Sequence, residues 1–259
     1  MSVRLSFEEG RRLARVTLDQ GKGNVIDGAG AAELQAAFEA AASEPVARCV
    51  LIDAAGPHFS FGASVEEHRP PALHGMLRRF HAMLKTLLEL PLPTLVAIRG
   101  QCLGGGLELA LGASRIFAHP GARLGQAEIK LGVFAPAGSA LLPARVGQAT
   151  ADLMLLTGRS LTGAEALAAG LVDELCGPEE DPAAQALAFA RQSFFELSPA
   201  SLRIATRAAR GRHAARAVQR IGELESLYLT ELAASPDGIE GIAAFLEKRP
   251  PRWQTGGAS

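Results

Sequence analysis

The 259-residue sequence is poor in cysteine, and its three, Cys49, Cys102 and Cys176, stand far apart among apolar neighbours. Such a scattered, odd-numbered set offers no disulfide framework and no metal-ligand spacing, and fits buried, reduced thiols. No block of lysine or arginine occurs and the formal net charge is −1, so nucleic acid is not an expected partner. Apolar runs long enough to span a bilayer are missing, and Met1-Ser2-Val3-Arg4-Leu5 is not the apolar stretch of a signal peptide. The expectation is a soluble, cytoplasmic protein without a membrane partner. Two missing motifs narrow the chemistry further. A dinucleotide site asks for G-x-G-x-x-G after the first strand, and a serine hydrolase for a G-x-S-x-G elbow; neither is present.

What is there is an ordinary globular composition, 48% hydrophobic and 20% charged, in a chain long enough for one domain or one domain with an appendage. Val3 to Glu8 and Leu13 to Leu18 alternate around Glu9-Gly10, which predicts a hairpin. Gly21-Lys22-Gly23-Asn24 is a turn, and Asp27 is placed to cap a helix from about Gly28 to Ala42. Cys49 to Ile52 predicts a buried strand, followed by the loop Ala54 to Ser64 and a helix from Ala72 to Leu88 that stops before Pro91 and Pro93. Phe134 to Gly138 is expected to be a bend, with helices near Ala149–Leu156 and Thr162–Ala169 and a strand at Leu171–Leu175. Beyond Asp181 the pattern is helical. Ser198-Pro199 starts one helix, and Asp237 opens the last, which runs to about Lys248 before Arg249-Pro250-Pro251. The arginines between Arg203 and Arg220, interleaved with alanine, predict a solvated or subunit-facing helix. Strand–helix repeats followed by a helical tail give an α/β core, residues 1–195, with a helical subdomain, 196–259.

The stretch from Pro93 to Leu131 carries the chemistry. An apolar strand, Thr94 to Ile98, leads through Gly104-Gly105-Gly106 into Leu107-Glu108-Leu109-Ala110-Leu111. Strand, glycine turn and helix start present bare backbone N–H groups to an anion. Glu108 interrupts an apolar run, and Glu128, twenty positions on, interrupts another. A carboxylate in such a place is costly to bury unless it has a task. The plain alternative is a glutamate on a solvent face beside a tight glycine turn; the functional one is acid–base chemistry next to an oxyanion.

The exact residues resemble the crotonase superfamily, the enoyl-CoA hydratases and isomerases. The resemblance is carried by Ala97-Ile98-Arg99-Gly100-Gln101-Cys102-Leu103-Gly104-Gly105-Gly106-Leu107-Glu108-Leu109-Ala110 and by Leu124-Gly125-Gln126-Ala127-Glu128-Ile129-Lys130-Leu131-Gly132. Leu156-Thr157-Gly158-Arg159 and Ala168-Ala169-Gly170-Leu171-Val172 extend it along nearly the whole chain. It implies a crotonase-like spiral of ββα turns, with the helical tail completing the site and building homotrimers, often paired as hexamers. It implies an acyl-CoA thioester substrate and no cofactor or metal, coenzyme A being part of the substrate.

By motif position, the backbone N–H groups of Ala63 and Gly105 are the implied oxyanion hole. Ser64 stands where the family usually has aspartate, which leaves the backbone donor in place. Glu108 is implied as the base that deprotonates water and Glu128 as the donor of a proton to carbon, although a close pair shares its protons. Hydration needs both, whereas moving a double bond can be done with one. Phe61, Gly62 and Gly104 are expected substrate contacts. So are Phe134 and Pro136, in a bulkier, stiffer turn than the family's usual glycine-rich one, where they could flatten a pocket wall for a ring or only pack the core. That turn, with His58 to His68, looks closest to the dienoyl-CoA hydratases that act on cyclohexa-1,5-diene-1-carbonyl-CoA in benzoyl-CoA degradation. Two alternatives stand beside this: a general enoyl-CoA hydratase and a non-catalytic acyl-CoA-binding protein on the same fold. Glu66, Glu67 and His68 are read as a surface helix with a possible lining role, and His74 and His81 as exposed-face histidines. Lys248 is a candidate contact to the nucleotide end of coenzyme A.

Overall fold

The computed structural model describes residues 3–254; residues 1–2, in the N-terminal reading above, and 255–259, in the range assigned to the helical tail, lie outside the described residues. The chain opens with the expected hairpin, β1 (Val3–Glu8) and β2 (Leu13–Leu18), paired from Val3 with Leu18 to Glu8 with Leu13. Next come α1 (Gly28–Ser43), β3 (Cys49–Ala54), α2 (Leu73–Leu88), β4 (Thr94–Ile98), β5 (Gln101–Leu103), α3 (Gly105–Leu111), β6 (Arg115–Ala118) and β7 (Arg123–Gly125). Then follow α4 (Pro136–Val146), α5 (Gln148–Thr157), β8 (Ser160–Thr162), α6 (Gly163–Ala168), β9 (Glu174–Leu175), α7 (Pro182–Ser193), α8 (Pro199–Leu227) and α9 (Pro236–Leu246).

The larger sheet has the order β1-β2-β3-β4-β6-β9 and is parallel from β2 onward; a smaller one has the order β5-β7-β8. Parallel strands require helical cover on both faces, and the alternation within β3 and β4 shows it. Val50, Ile52, Val96 and Ile98 face the main core with Leu34, Phe38 and Leu84, while Cys49, Leu51, Leu95 and Ala97 face a second core closed by Ala183, Ala186 and Ala190 of α7. All three cysteines are free and buried, and burial pushes the Cys49 thiol up to about 12. Among the described residues no helix is long and apolar enough to cross a membrane.

Helix ends are set by side chains where the sequence provides them. Asp27 accepts from the Gly30 N–H at 2.7 Å, and Thr162 and Glu165 form a reciprocal capping box. Four expectations are corrected. The bend at Phe134–Gly138 is the start of α4, because Pro136 fits the first helical position, where its missing N–H costs nothing. The strand expected at Leu171–Leu175 shrinks to Glu174–Leu175, since the Leu171 and Val172 N–H groups turn back to the Ala166 carbonyl after α6. The last helix begins one residue before Asp237, at Pro236, with Ser235 as its cap, and ends at Leu246. The arginines of α8 are not all solvent-facing or subunit-facing. Arg203 donates to the Ala42 and Glu44 carbonyls at the C-terminal end of α1, and Arg210 to the Gly112 and Ala113 carbonyls beyond α3 at 2.6 and 3.2 Å. A guanidinium at a helix C-terminus satisfies orphan carbonyls and opposes the helix dipole. Ala214, Ala217 and Ile221 on α8 join the main core.

Candidate active site

The site forms where the two sheets meet. After β4 the chain turns at Gly100 and runs into β5, which pairs in parallel with β7. The Gly104 N–H donates to the Gly125 carbonyl at 2.9 Å, which fixes the segment after β7 beside the start of α3. That segment is Gln126-Ala127-Glu128, so this pairing is what brings the two glutamates together across twenty residues. Glycine is required at the junction. Gly104 has φ +51, and a Cβ there would lie 2.7 Å from Glu128 Oε1. Gly62 has φ +106, and a Cβ there would meet the Leu103 carbonyl at 2.9 Å.

This close approach sets the backbone of Ala63 against that of Gly105, where a Cβ would be 3.0 Å from the Ala63 nitrogen. Ala63 is held through a bridge to Ile26, with Ile26 N–H on the Gly62 carbonyl and Ser64 N–H on the Ile26 carbonyl, both near 3 Å. Neither the Ala63 nor the Gly105 N–H has a backbone acceptor among the described residues. Both residues line a cavity of about 600 Å³.

Glu108 is buried on the same cavity, and its Oε1 accepts from the Gly138 N–H at 2.6 Å, with the Ala137 N–H also directed at it. These are the first free donors of α4, so the glutamate caps that helix from across the core. Desolvation pushes the Glu108 carboxyl above its usual range, opposed by the nearby His81 ring whenever that ring carries a proton on both nitrogens and by the two N–H groups. Glu128, in a single 3₁₀ turn from Glu128 to Leu131, is pushed up to about 8 by burial and then by the Glu108 charge. The buried Gln126 amide, with its NH₂ turned toward Glu128, donates to both carboxylate oxygens at 3.0 Å.

The rest of the wall is mostly apolar. Phe134 stacks edge-on against Tyr228 with centroids 5.4 Å apart, and Met76, Leu77 and Phe80 of α2 face them. Tyr228 is buried, and its hydroxyl is pushed up by burial and by the Glu128 charge. Phe61, Gly62, Gly104, Phe134 and Pro136 all line the cavity, Phe61 as a half-exposed residue at its mouth. Lys248 is not among the lining residues; of the C-terminal segment, Ile242 and Phe245 are. The Glu66–His68 stretch is a single 3₁₀ turn with Glu66 exposed, as expected of a surface helix, while Glu67 accepts from the Gly28 N–H at 2.9 Å and His68 donates to the Ser64 carbonyl and lines the cavity. The expectation for His81 is corrected. It is 7% exposed, lines the cavity and is bonded to Glu225 of α8. Gln126, Tyr228 and Glu225 were not singled out from the sequence.

A backbone N–H pair facing two perturbed carboxylates in an apolar cavity defines a class of site built to stabilise an enolate and move protons beside it. The chain belongs to the enoyl-CoA hydratase/isomerase family, or crotonase family, whose sequence profile matches residues 8–256. It is 48% identical over 252 residues to the cyclohexa-1,5-dienecarbonyl-CoA hydratase of Thauera aromatica, covering 97% of this chain and 96% of that protein. It is 31% identical to the carnitinyl-CoA dehydratase of Salmonella arizonae, over 98% of this chain and 99% of the relative. An enoyl-CoA hydratase/isomerase from Pseudoalteromonas atlantica superposes with a TM-score of 0.85 at 28% identity, over 98% of this chain and 100% of that one. An enoyl-CoA hydratase from Mycobacterium avium subsp. paratuberculosis gives 0.81 at 28% identity, over 98% and 99%.

Proposed function

We propose that the protein adds water to cyclohexa-1,5-diene-1-carbonyl-CoA to give 6-hydroxycyclohex-1-ene-1-carbonyl-CoA. The observation that carries this reading is the unequal pair of carboxylates on an apolar wall. Glu108 has two helix N–H donors that favour its ionised form, whereas Glu128, pushed up to about 8, keeps its proton at neutral pH. Near-full-length similarity to a hydratase of that substrate supports the choice of acyl group.

In this reading the thioester oxygen sits between the Ala63 and Gly105 N–H groups. Glu108 takes a proton from water as the oxygen bonds to the β carbon, and the electrons spread into a dienolate. Glu128 returns a proton at the γ carbon, which leaves a double bond conjugated to the thioester. The oxyanion donors, the apolar Phe134–Tyr228 corner and the cavity's size suit a six-membered ring. No cofactor or metal takes part, coenzyme A entering with the substrate. Exposed apolar residues on α5 and α8, Leu156 at 68% and Ile204 at 59%, offer surface for a homotrimer or a pair of trimers, which light scattering on the purified protein tests.

The test of function is an ultraviolet and mass assay with the cyclic diene and with crotonyl-CoA in parallel. A preference of about 10² or more in kcat/KM for the diene is expected, about 3 kcal/mol of transition-state discrimination. Preference for crotonyl-CoA would replace the cyclic substrate by a straight-chain one, and binding without water addition to either would end the hydratase reading.

A further inference from the structure

Two glutamates do not exhaust the ionisable groups on the cavity wall. His81 projects from α2, with Phe80 edge-on at 6.2 Å, and shares the cavity with Glu108 and Glu128. Its Nδ1 lies 2.5 Å from Glu225 Oε2 on α8. The bond to His81 is the main cause holding the Glu225 carboxyl below its usual range, so the carboxylate accepts and the hydrogen resides on Nδ1. In the neutral ring, Nε2 is then a lone-pair acceptor. This Nε2 is buried and has no hydrogen-bond partner among the described residues. An orphaned buried acceptor is costly, and on a cavity wall the natural donor is one that arrives with the ligand.

The chemistry of the ligand narrows that donor. The thioester oxygen is taken by Ala63 and Gly105, and the cyclic dienoyl group is otherwise hydrocarbon. One polar atom remains: the oxygen being added. We propose that His81 Nε2 accepts a hydrogen bond from the attacking water and, after reaction, from the ring hydroxyl that water becomes. This rests on the cyclic-diene reading above.

The contact solves a geometric problem of that reaction. Oxygen and hydrogen go to opposite corners of the ring, so a glutamate that holds the water cannot also serve the far carbon. With His81 taking one hydrogen of water and Glu108 the other, Glu128 is free to do so. The O–H bond directed at Glu108 breaks and its proton moves to that carboxylate, while the second O–H stays intact on Nε2. The C–O bond forms at the β carbon, the π electrons shift into the dienolate, and the γ carbon takes the Glu128 proton. Transfer of a proton from Glu108 to Glu128 restores the pair. Glu225 is a positioning residue that fixes the tautomer.

The test is the variant His81→Asn, whose amide still reaches Glu225 and has no atom at Nε2. We expect kcat on the diene to fall about 10²-fold with KM changed less than about threefold. Affinity for 6-hydroxycyclohex-1-ene-1-carbonyl-CoA falls about tenfold, the size of one lost hydrogen bond, while affinity for cyclohex-1-ene-1-carbonyl-CoA, which lacks the hydroxyl, is unchanged. His81→Gln, which returns an acceptor near Nε2, restores part of both. A folded Asn variant with parental turnover, or one that loses both esters equally, overturns the assignment. If the Asn variant does not fold, Glu225→Gln, whose amide can also donate to Nδ1 and so no longer holds the hydrogen there, must show a weaker split in the same direction between the two esters. A parent protein that adds no water to the diene removes the cyclic substrate and the water contact with it; an active parent matched by the variant removes the contact alone.

Discussion

Replacing Glu128 by glutamine should make the protein more stable and nearly inactive, and the stability gain should depend on pH in a fixed direction. The folded-state pKa of Glu128 is raised from 4.5 to about 8, first by desolvation and then by the Glu108 charge. A raised carboxyl pKa means that the folded state holds the proton more tightly than the unfolded chain. Ionising it therefore costs stability as pH rises from about 4.5 through 8, and the cost is complete above that. At about 1.36 kcal/mol per unit the ceiling is near 5 kcal/mol, and coupling to Glu108 and relaxation of the wall lower it to about 2–4. For a chain of this length about 1 kcal/mol moves the midpoint by roughly 2 °C, so the variant should melt about 4–8 °C above the parent at pH 9. At pH 4.5 the two should melt together. The amide is isosteric with the acid and keeps contact with Gln126, so the comparison is free of a cavity term. Calorimetry at both pH values measures it, alongside hydration of the cyclic diene, which should drop about 10²-fold or more. A stability difference independent of pH would refute the desolvation argument, and full activity would refute the role of Glu128 as acid.

Hydration by the parent should follow a bell-shaped pH profile, its alkaline limb near pH 8 where Glu128 gives up its proton and its acid limb where Glu108 gains one; the alkaline limb should vanish in the residual activity of Glu128→Gln. Gly62→Ala places a Cβ 2.9 Å from the Leu103 carbonyl at φ +106, which displaces the Ala63 N–H; kcat should fall about 10²–10³-fold with thioester affinity reduced much less. Arg210→Met removes charged hydrogen bonds to the Gly112 and Ala113 carbonyls and should lower stability by about 2 kcal/mol in urea titrations, with KM for the thioester unchanged.

Strands and helices with strong periodicity were legible from the sequence. The hairpin, β4, and α2 with its apolar stripe from Leu73 to Leu88 stand where alternation or a 3.6-residue repeat puts them. The three-residue strands β5, β7 and β8 carry no period to detect, yet they join the two halves of the site. Pro136 was read as a bend because proline serves turns and first helical positions alike, and only the carboxylate of Glu108, thirty residues before the Gly138 N–H it accepts from, shows which applies. Glu108 and Glu128 stood out as carboxylates in apolar runs, Ala63 and Gly105 became oxyanion candidates through motif resemblance, and the geometry gathers all four on one cavity. His81 had a visible signal that was passed over: it sits within the stripe of Leu77, Phe80 and Leu84, where a polar residue is out of place. Glu225 and Tyr228 come from a helical region whose own pattern holds no clue to what it covers.

The hydrogen bond between Glu108 and Gly138 joins a proton acceptor to the first turn of α4, and that turn begins with Pro136 on the cavity wall. The Gly138 amide is therefore a reporter built into the chain. Its nitrogen and proton resonances should move with the charge on Glu108, so a titration followed at this one backbone site reads the state of the base directly, without substrate. Because the residues ahead of it, Phe134 to Pro136, line the cavity, the same resonance should also respond to ligand shape, and straight and cyclic thioesters should leave different signatures on it.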